Sequence, residues 1–313
     1  MDDLPHGGHT WKEYLQTVCE IVDAAVACGA RFAPDKARFG FYELPIIGQI
    51  VGRHGKKIPV SKSEPLLRME RSSFVDQTSV RVYLGMVNYP NKYVPNLATI
   101  LSPLHRLVGK VSFDFDDKCW AAVRQVNRIM AAGPVLSAPN WDWPFIIQTD
   151  ADLPDGCGGV LCQRDPSLPS PEIKGGKSTA QDKRPLRVIH YVSHKWTTAQ
   201  RKWHVYVKEA YGIMFNVRRS LYYLQASRFV TQIETEKQPL IWLEHATSPL
   251  VMGWVTQWLW QFRWRVVYVK GVNNGLADGL SRPPVIAPGR LAPEGVEASV
   301  KALLPLIAIP PGP

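Results

Sequence analysis

The sequence predicts a mixed α/β fold: a mixed sheet with flanking helices, preceded by a smaller α+β region. From about residue 139, short apolar runs and helical text follow in the order strand, strand, strand, helix, strand, helix, strand, helix. In that layered pattern helices cover a sheet that contains both parallel and antiparallel pairs. The clearest helix lies inside it, because Val207, Ala210, Met214, Val217, Leu221 and Leu224 recur at intervals of three and four along one face.

The elements can be justified in order. Residues 11–28 carry Trp11, Leu15, Val18, Val22 and Ala25 at helical spacing, and the helix is expected to stop at Gly29, a favoured C-terminal cap. Phe39–Tyr42 and Ile46–Val51 read as short strands, punctuated by Gly48, Gly52 and Gly55. Helical text resumes from Ser79 to Leu107, interrupted by Pro90, Pro95 and Pro103, and 117–132 forms a further amphipathic helix. A new unit begins near Pro139. Phe145–Thr149 and Gly156–Gln163 are strands around the turn at Pro154-Asp155-Gly156. A polar loop over 164–186 precedes a strand at Arg187–Val192. Phe229–Ile233 and Arg265–Val269 are two more strands, with helical text between them. After Arg282 the chain has eight prolines in 31 residues and reads as a disordered tail.

Bulk composition narrows the function. The chain has 313 residues, room for two domains, and a formal net charge of +10 that favours polyanionic partners, nucleic acid first. Five cysteines (Cys19, Cys28, Cys119, Cys157, Cys162) show neither a CxxC pair nor a ligand-spaced histidine. Buried, reduced thiols are expected, not a disulfide framework or a zinc site. No apolar run approaches the ~20 residues of a membrane span, so no membrane partner is expected and the protein should be soluble and intracellular, in cytoplasm or nucleus.

Four acids stand where chemistry could use them. Asp150 ends a hydrophobic strand, Glu209 lies on the long helix, Glu236 follows the strand at 229–233, and Asp278 opens the last helical segment. Carboxylates brought from several element ends to one point are the oxygen ligand set that Mg²⁺ takes, and two such ions can cleave a phosphodiester. The plainer alternative is four unrelated surface acids. Around Glu209 the composition is one-sided. Between Lys183 and Arg228 there are ten Lys or Arg residues and no other acid, interleaved with Trp196, Trp203, Tyr206, Tyr211 and Tyr222. Lys195, Arg201, Lys202, Trp203, Lys208, Arg218 and Arg219 are the candidates for holding a nucleic-acid backbone, against a plain solvated helix face.

Several motifs resemble those of Gypsy-class LTR retrotransposon Pol polyproteins. Phe145-Ile-Ile-Gln-Thr149-Asp150-Ala151-Asp152 with Gly159-Val160-Leu161-Cys162-Gln163 resembles the "FxxxTDAS…GAVLxQ" opening of their RNase H domains. Tyr191-Val-Ser193-His-Lys195 with Lys208-Glu209 resembles "YxSRKLT…EKE", and Thr235-Glu236-Lys237-Gln238-Pro239-Leu240 resembles "TDHKPL". Tyr268 to Arg282, ending Ala277-Asp278-Gly-Leu280-Ser281-Arg282, is similar to "YxPGxxNxxADALSR". Upstream, Leu84-Gly85-Met-Val-Asn88-Tyr89 with Tyr93-Val-Pro95-Asn96 is similar to "FLGLVNYYRRFIPNF", and Met1-Asp2-Asp3-Leu4 to the end of the polymerase "YxDDL" motif.

The resemblance, over about residues 1–284, implies an RNase H-like fold and a division of the chain. Residues 1–78 would be the end of the palm and the start of the thumb, 79–138 a helical thumb and connection, 139–284 the RNase H-like domain, and 285–313 the tail. It implies two-metal hydrolysis of the RNA strand of RNA–DNA hybrids, with Mg²⁺, or Mn²⁺ in its place. Asp150, Glu209, Glu236 and Asp278 would be both catalytic residues and metal ligands. Glu236 stands where the family has aspartate, which predicts weakened activity. With only Asp2 and Asp3 as polymerase-motif remnants, no autonomous DNA synthesis is expected, and a complete reverse-transcriptase subunit is an implied partner beside nucleic acid. The alternative is a catalytically weakened or inactive nucleic-acid-binding relic; a host-recruited interaction protein has only the tail's composition behind it.

Overall fold

The computed structural model describes residues 6–8, 10–30, 38–52, 55–109, 111–152, 156–167 and 184–269. The side chains of Asp150 and Asp152 lie outside that description, as do Asp2, Asp3, Asp278 and the proline-rich tail.

The first helix, α1 (Trp11–Ala27), is capped by Thr10, whose hydroxyl accepts from the Glu13 amide at 3.2 Å, and it ends with Gly29 at φ +71°. Its apolar stripe is largely exposed, with Trp11 at 63% and Leu15 at 44%. The strand expected at Phe39–Tyr42 does not form, and pairing begins instead at β1 (Glu43–Ile46). The run Ile46–Val51 is not one strand either. It turns at Ile47-Gly48, both at positive φ (47° and 74°), and returns as β2 (Gln49–Gly52). Paired positive φ values are the geometry of a tight hairpin whose twist suits the flanking strands, and glycine makes the second one cheap. β3 (Gly55–Lys57) adds antiparallel to β2 and then pairs with β4 (Val135–Leu136), closing a four-stranded sheet in the order β1-β2-β3-β4.

Helices fill the span between β3 and β4. They are α2 (Val60–Leu67), α3 (Gln77–Asn88), α4 (Leu97–Ile100), α5 (Ser102–Leu107) and α6 (Asp117–Ala131). Asp76 and Ser79 form a reciprocal capping box on α3, and Asp116 accepts from the Cys119 amide at 2.8 Å to start α6. These helices enclose one apolar core in which Val80, Tyr83, Val87, Leu104, Val123 and Val126 are fully buried.

The second sheet has the order β7-β6-β5-β8-β9. Its strands are β5 (Ile146–Asp152), β6 (Gly156–Arg164), β7 (Leu186–Lys195), β8 (Thr231–Thr235) and β9 (Trp264–Tyr268). β6 runs antiparallel to its neighbours β5 and β7, and β8 and β9 run parallel to β5. The strands are shifted or longer than expected: β5 runs on to Asp152, so Asp150 lies within it and not at its end. α7 (Thr198–Arg201) leads into α8 (Val205–Gln225), and a 3₁₀ segment (Gln238–His245) followed by α9 (Pro249–Trp258) links β8 to β9. The core between α8 and the sheet holds Phe145, Ile147, Leu161, Ile213, Val217 and Ile233, all at 1% exposure or less. Gly159 on β6 lets α8 come close, since a Cβ there would lie 2.1 Å from the Asn216 carboxamide oxygen. The two sheets' regions are tied by Ala98 N–H donating to Ser193 Oγ at 3.0 Å and Lys195 Nζ donating to the Ser102 carbonyl at 3.2 Å.

Among the described residues no helix is long and apolar enough to cross a membrane. All five thiols are free, but Cys19 and Cys28 are exposed, so the expectation of buried thiols holds only for Cys119, Cys157 and Cys162.

Candidate active site

The site is built by strand register. Gln148 on β5 lies opposite Glu234 on β8 in the parallel pair. Asp150 lies two residues further along β5. Glu236 follows β8 directly, two residues beyond Glu234. The β5–β8 pairing ends at Gln148 and Glu234, two residues before Asp150 on one strand and two before Glu236 on the other. The side chain of Glu236 is half-buried.

Glu209 reaches the same end of the sheet from α8. It is the fifth residue of that helix and only 3% exposed. Its Oε1 lies 3.5 Å from the Nζ of Lys237, the residue after Glu236. The Lys237 amide donates to Thr235 Oγ1 at 3.2 Å, which fixes the turn out of β8. Thus Glu209 and the 236–237 segment are brought together, and the backbone of Asp150 lies on the neighbouring strand. Asp278 lies outside the described residues. Among those that are described, no three acid, histidine or cysteine side chains form a metal-binding group.

Beside this point is a polar network that the sequence reading did not single out. Glu234 is 2% exposed and accepts from Gln148 Nε2 (2.6 Å), Arg164 Nη1 (2.8 Å) and Gln232 Nε2 (2.8 Å). Arg164 is itself 5% exposed, so this is a buried ion pair whose carboxylate is well supplied with donors. The period-two spacing of Gln148 from Asp150, and of Glu234 from Glu236, was the available signal. Burial and the Glu234 carboxylate nearby push the Cys162 thiol far above its ordinary range, leaving it a protonated core residue.

The basic candidates separate by burial. Arg201, Lys202, Arg218 and Arg219 are exposed, whereas Lys195 is half-buried against Ser102. Lys208 is 7% exposed and, like its neighbour Glu209, is largely buried on α8. Trp203 packs edge-on to Tyr211 (5.5 Å) and beside Trp254 (5.8 Å). Arg218 lies over Trp258 and Arg219 over Phe215, at 5.4 and 5.3 Å.

An antiparallel β5–β6–β7 meander extended by two parallel strands, with an acid-bearing helix across it, defines the RNase H-like class. Residues 140–263 match the family described as the RNase H-like domain found in reverse transcriptase. Over 90% of its length the chain aligns with curated Pol polyproteins. It is 22% identical to the retrovirus-related Pol polyprotein from transposon 297 and 24% to that from transposon 412, both of Drosophila melanogaster. It is 22% identical to the transposon Tf2-3 polyprotein of Schizosaccharomyces pombe. The chain is thus similar over most of its length to LTR retrotransposon Pol polyproteins, and its residues 140–263 match an RNase H-like domain. It spans 20–24% of the length of these relatives. Among solved structures, the foamy viral protease-reverse transcriptase in complex with an RNA/DNA hybrid matches 91% of this chain and 36% of its own, at 15% identity and TM-score 0.64. The same protein in complex with dsDNA covers 85% and 52%, with TM-score 0.63.

Proposed function

We propose that the chain hydrolyses the RNA strand of RNA–DNA hybrids through a centre made by Asp150, Glu209, Glu236 and Asp278. The observation that carries the reading is the meeting of buried Glu209 with the segment just after β8, the strand that neighbours the β5 strand bearing Asp150. A carboxylate as enclosed as Glu209 calls for positive charge, and the Lys237 ammonium beside it marks a locus where cations are favoured. The donor set fits a hard divalent cation, Mg²⁺ or Mn²⁺, with Asp150, Glu209, Glu236 and Asp278 as the ligands. Bound in pairs, such cations supply a polarised water and charge stabilisation at the leaving oxygen. The chain's own part is to hold the four carboxylates and to bind the substrate backbone with Arg201, Lys202, Arg218 and Arg219. Foamy viral enzymes of this fold have been solved with RNA/DNA hybrid and dsDNA, which supports nucleic acid as the partner. The division at residue 138 is supported by the separate cores before and after it.

The test is cleavage of a hybrid duplex by the full chain in either metal. Asp150→Asn keeps size and shape while removing a ligand charge, so it should abolish cleavage and leave the circular dichroism spectrum unchanged. A specific observation favours a weakened centre: Glu236 carries one methylene more than the aspartate of the motif it resembles.

A further inference from the structure

We propose that Lys237 is a resident counter-cation of this centre, neutralising Glu209 in the metal-free chain and withdrawing when metal binds. The inference rests on the carboxylate centre proposed above. The Glu209 side chain is 4% exposed, and a carboxylate buried to that degree gains from a cation close by. The Lys237 ammonium stands 3.5 Å from Oε1, an ion-pair distance and not a tight hydrogen bond. Its side chain is 43% exposed, so it can swing into solvent with little loss of packing while its backbone stays anchored on Thr235. The same ammonium therefore stabilises the empty site and repels an incoming divalent cation. In the motif that residues 235–240 resemble, this position is histidine, which is largely neutral at pH 7, whereas Lys237 carries a permanent charge.

The experiment is calorimetric titration of Mn²⁺ into the full-length parent, Lys237→Gln, Lys237→Arg and Glu209→Gln. A half-exposed charge pair suggests an effect of about fivefold, and more toward a divalent ion. Lys237→Gln should bind Mn²⁺ at least about fivefold more tightly, Lys237→Arg should stay near the parent, and Glu209→Gln should bind weakly. The metal-free melting temperature should fall in Lys237→Gln and recover with Mn²⁺. Lys237→Thr repeats the charge removal with a smaller side chain should the glutamine variant fold poorly. If the charge-removing variants bind as the parent does while Glu209→Gln loses binding, the centre stands and the role of Lys237 is refuted. If parent, Lys237→Gln and Lys237→Thr all fail to bind Mn²⁺ saturably, the carboxylate centre falls and this inference with it.

Discussion

In the proposed centre, Glu236 is the residue on which activity is predicted to turn. A glutamate keeps the charge of an aspartate but sets its oxygens one methylene further out, and Mg²⁺ demands ligand distances within a narrow range of about 2.0–2.1 Å. Misplacing a reacting group by about 1 Å can cost on the order of 10²-fold in rate. Glu236→Asp should therefore raise hybrid cleavage by about tenfold or more in Mg²⁺, and less in the more tolerant Mn²⁺; equal rates in both metals would locate the bottleneck elsewhere. The buried Arg164–Glu234 pair makes a stability prediction at the same scale. Removing one partner of such a pair strands the other, at about 3–5 kcal/mol. Arg164→Met should lower the urea midpoint accordingly, and adding Glu234→Gln should restore part of it. At this scale the candidate acids could be nominated from sequence because each sits in its own short motif. The Gln148–Glu234–Arg164 network was not, since it joins three strands whose register no single stretch of sequence states.

Among the elements, periodicity was a good guide wherever the helix stood alone. α8 was readable from its 3,4 spacing, and α6 from its amphipathic face. Periodicity reports a stripe and not what covers it, which is why α1 forms as expected while Trp11 and Leu15 remain exposed. The Ile46–Val51 run misled because a β-branched residue is a poor candidate for positive φ, yet Ile47 adopts it in the hairpin turn. α2 was missed because Val60-Ser-Lys-Ser-Glu-Pro65 reads as a loop, and Pro65 nonetheless lies inside the helix. The approach of α8 to β6 gives the test here. Asn216 is buried, with its Nδ2 donating to the Gly212 carbonyl at 2.8 Å, so it cannot easily retreat from a new methyl group. Gly159→Ala should destabilise the chain by about 1–3 kcal/mol, read by chemical denaturation; an unchanged midpoint would mean that α8 is free to shift.

At the scale of the molecule, His190 couples stability to acidity. It is 2% exposed, with Nε2 3.1 Å from Ser220 Oγ, and burial, aided by Lys92 and Lys56, pushes its pKa from 6.5 down to about 3. Its folded pKa lies below the unfolded value, so the stabilisation is present above pH 6.5 and is lost as pH falls towards 3. Each pH unit in that window should remove about 1.4 kcal/mol, an acid slope that His190→Gln should flatten in pH-dependent unfolding. The mixed sheet with flanking helices was anticipated from the strand and helix order together with the motifs, whereas the parallel placement of β8 beside β5 was not. How Glu209 meets Lys237 could not be anticipated either, because it depends on where α8 crosses the sheet. The whole account stands on one reaction: an RNA–DNA hybrid incubated with the full chain in Mg²⁺ or Mn²⁺, beside the same reaction with Asp150→Asn and with excess chelator. The RNA strand should be cut by the parent chain, faster in Mn²⁺, and left intact in both controls. Cutting that survives Asp150→Asn or the chelator, or no cutting by parent and Glu236→Asp in either metal, would contradict it.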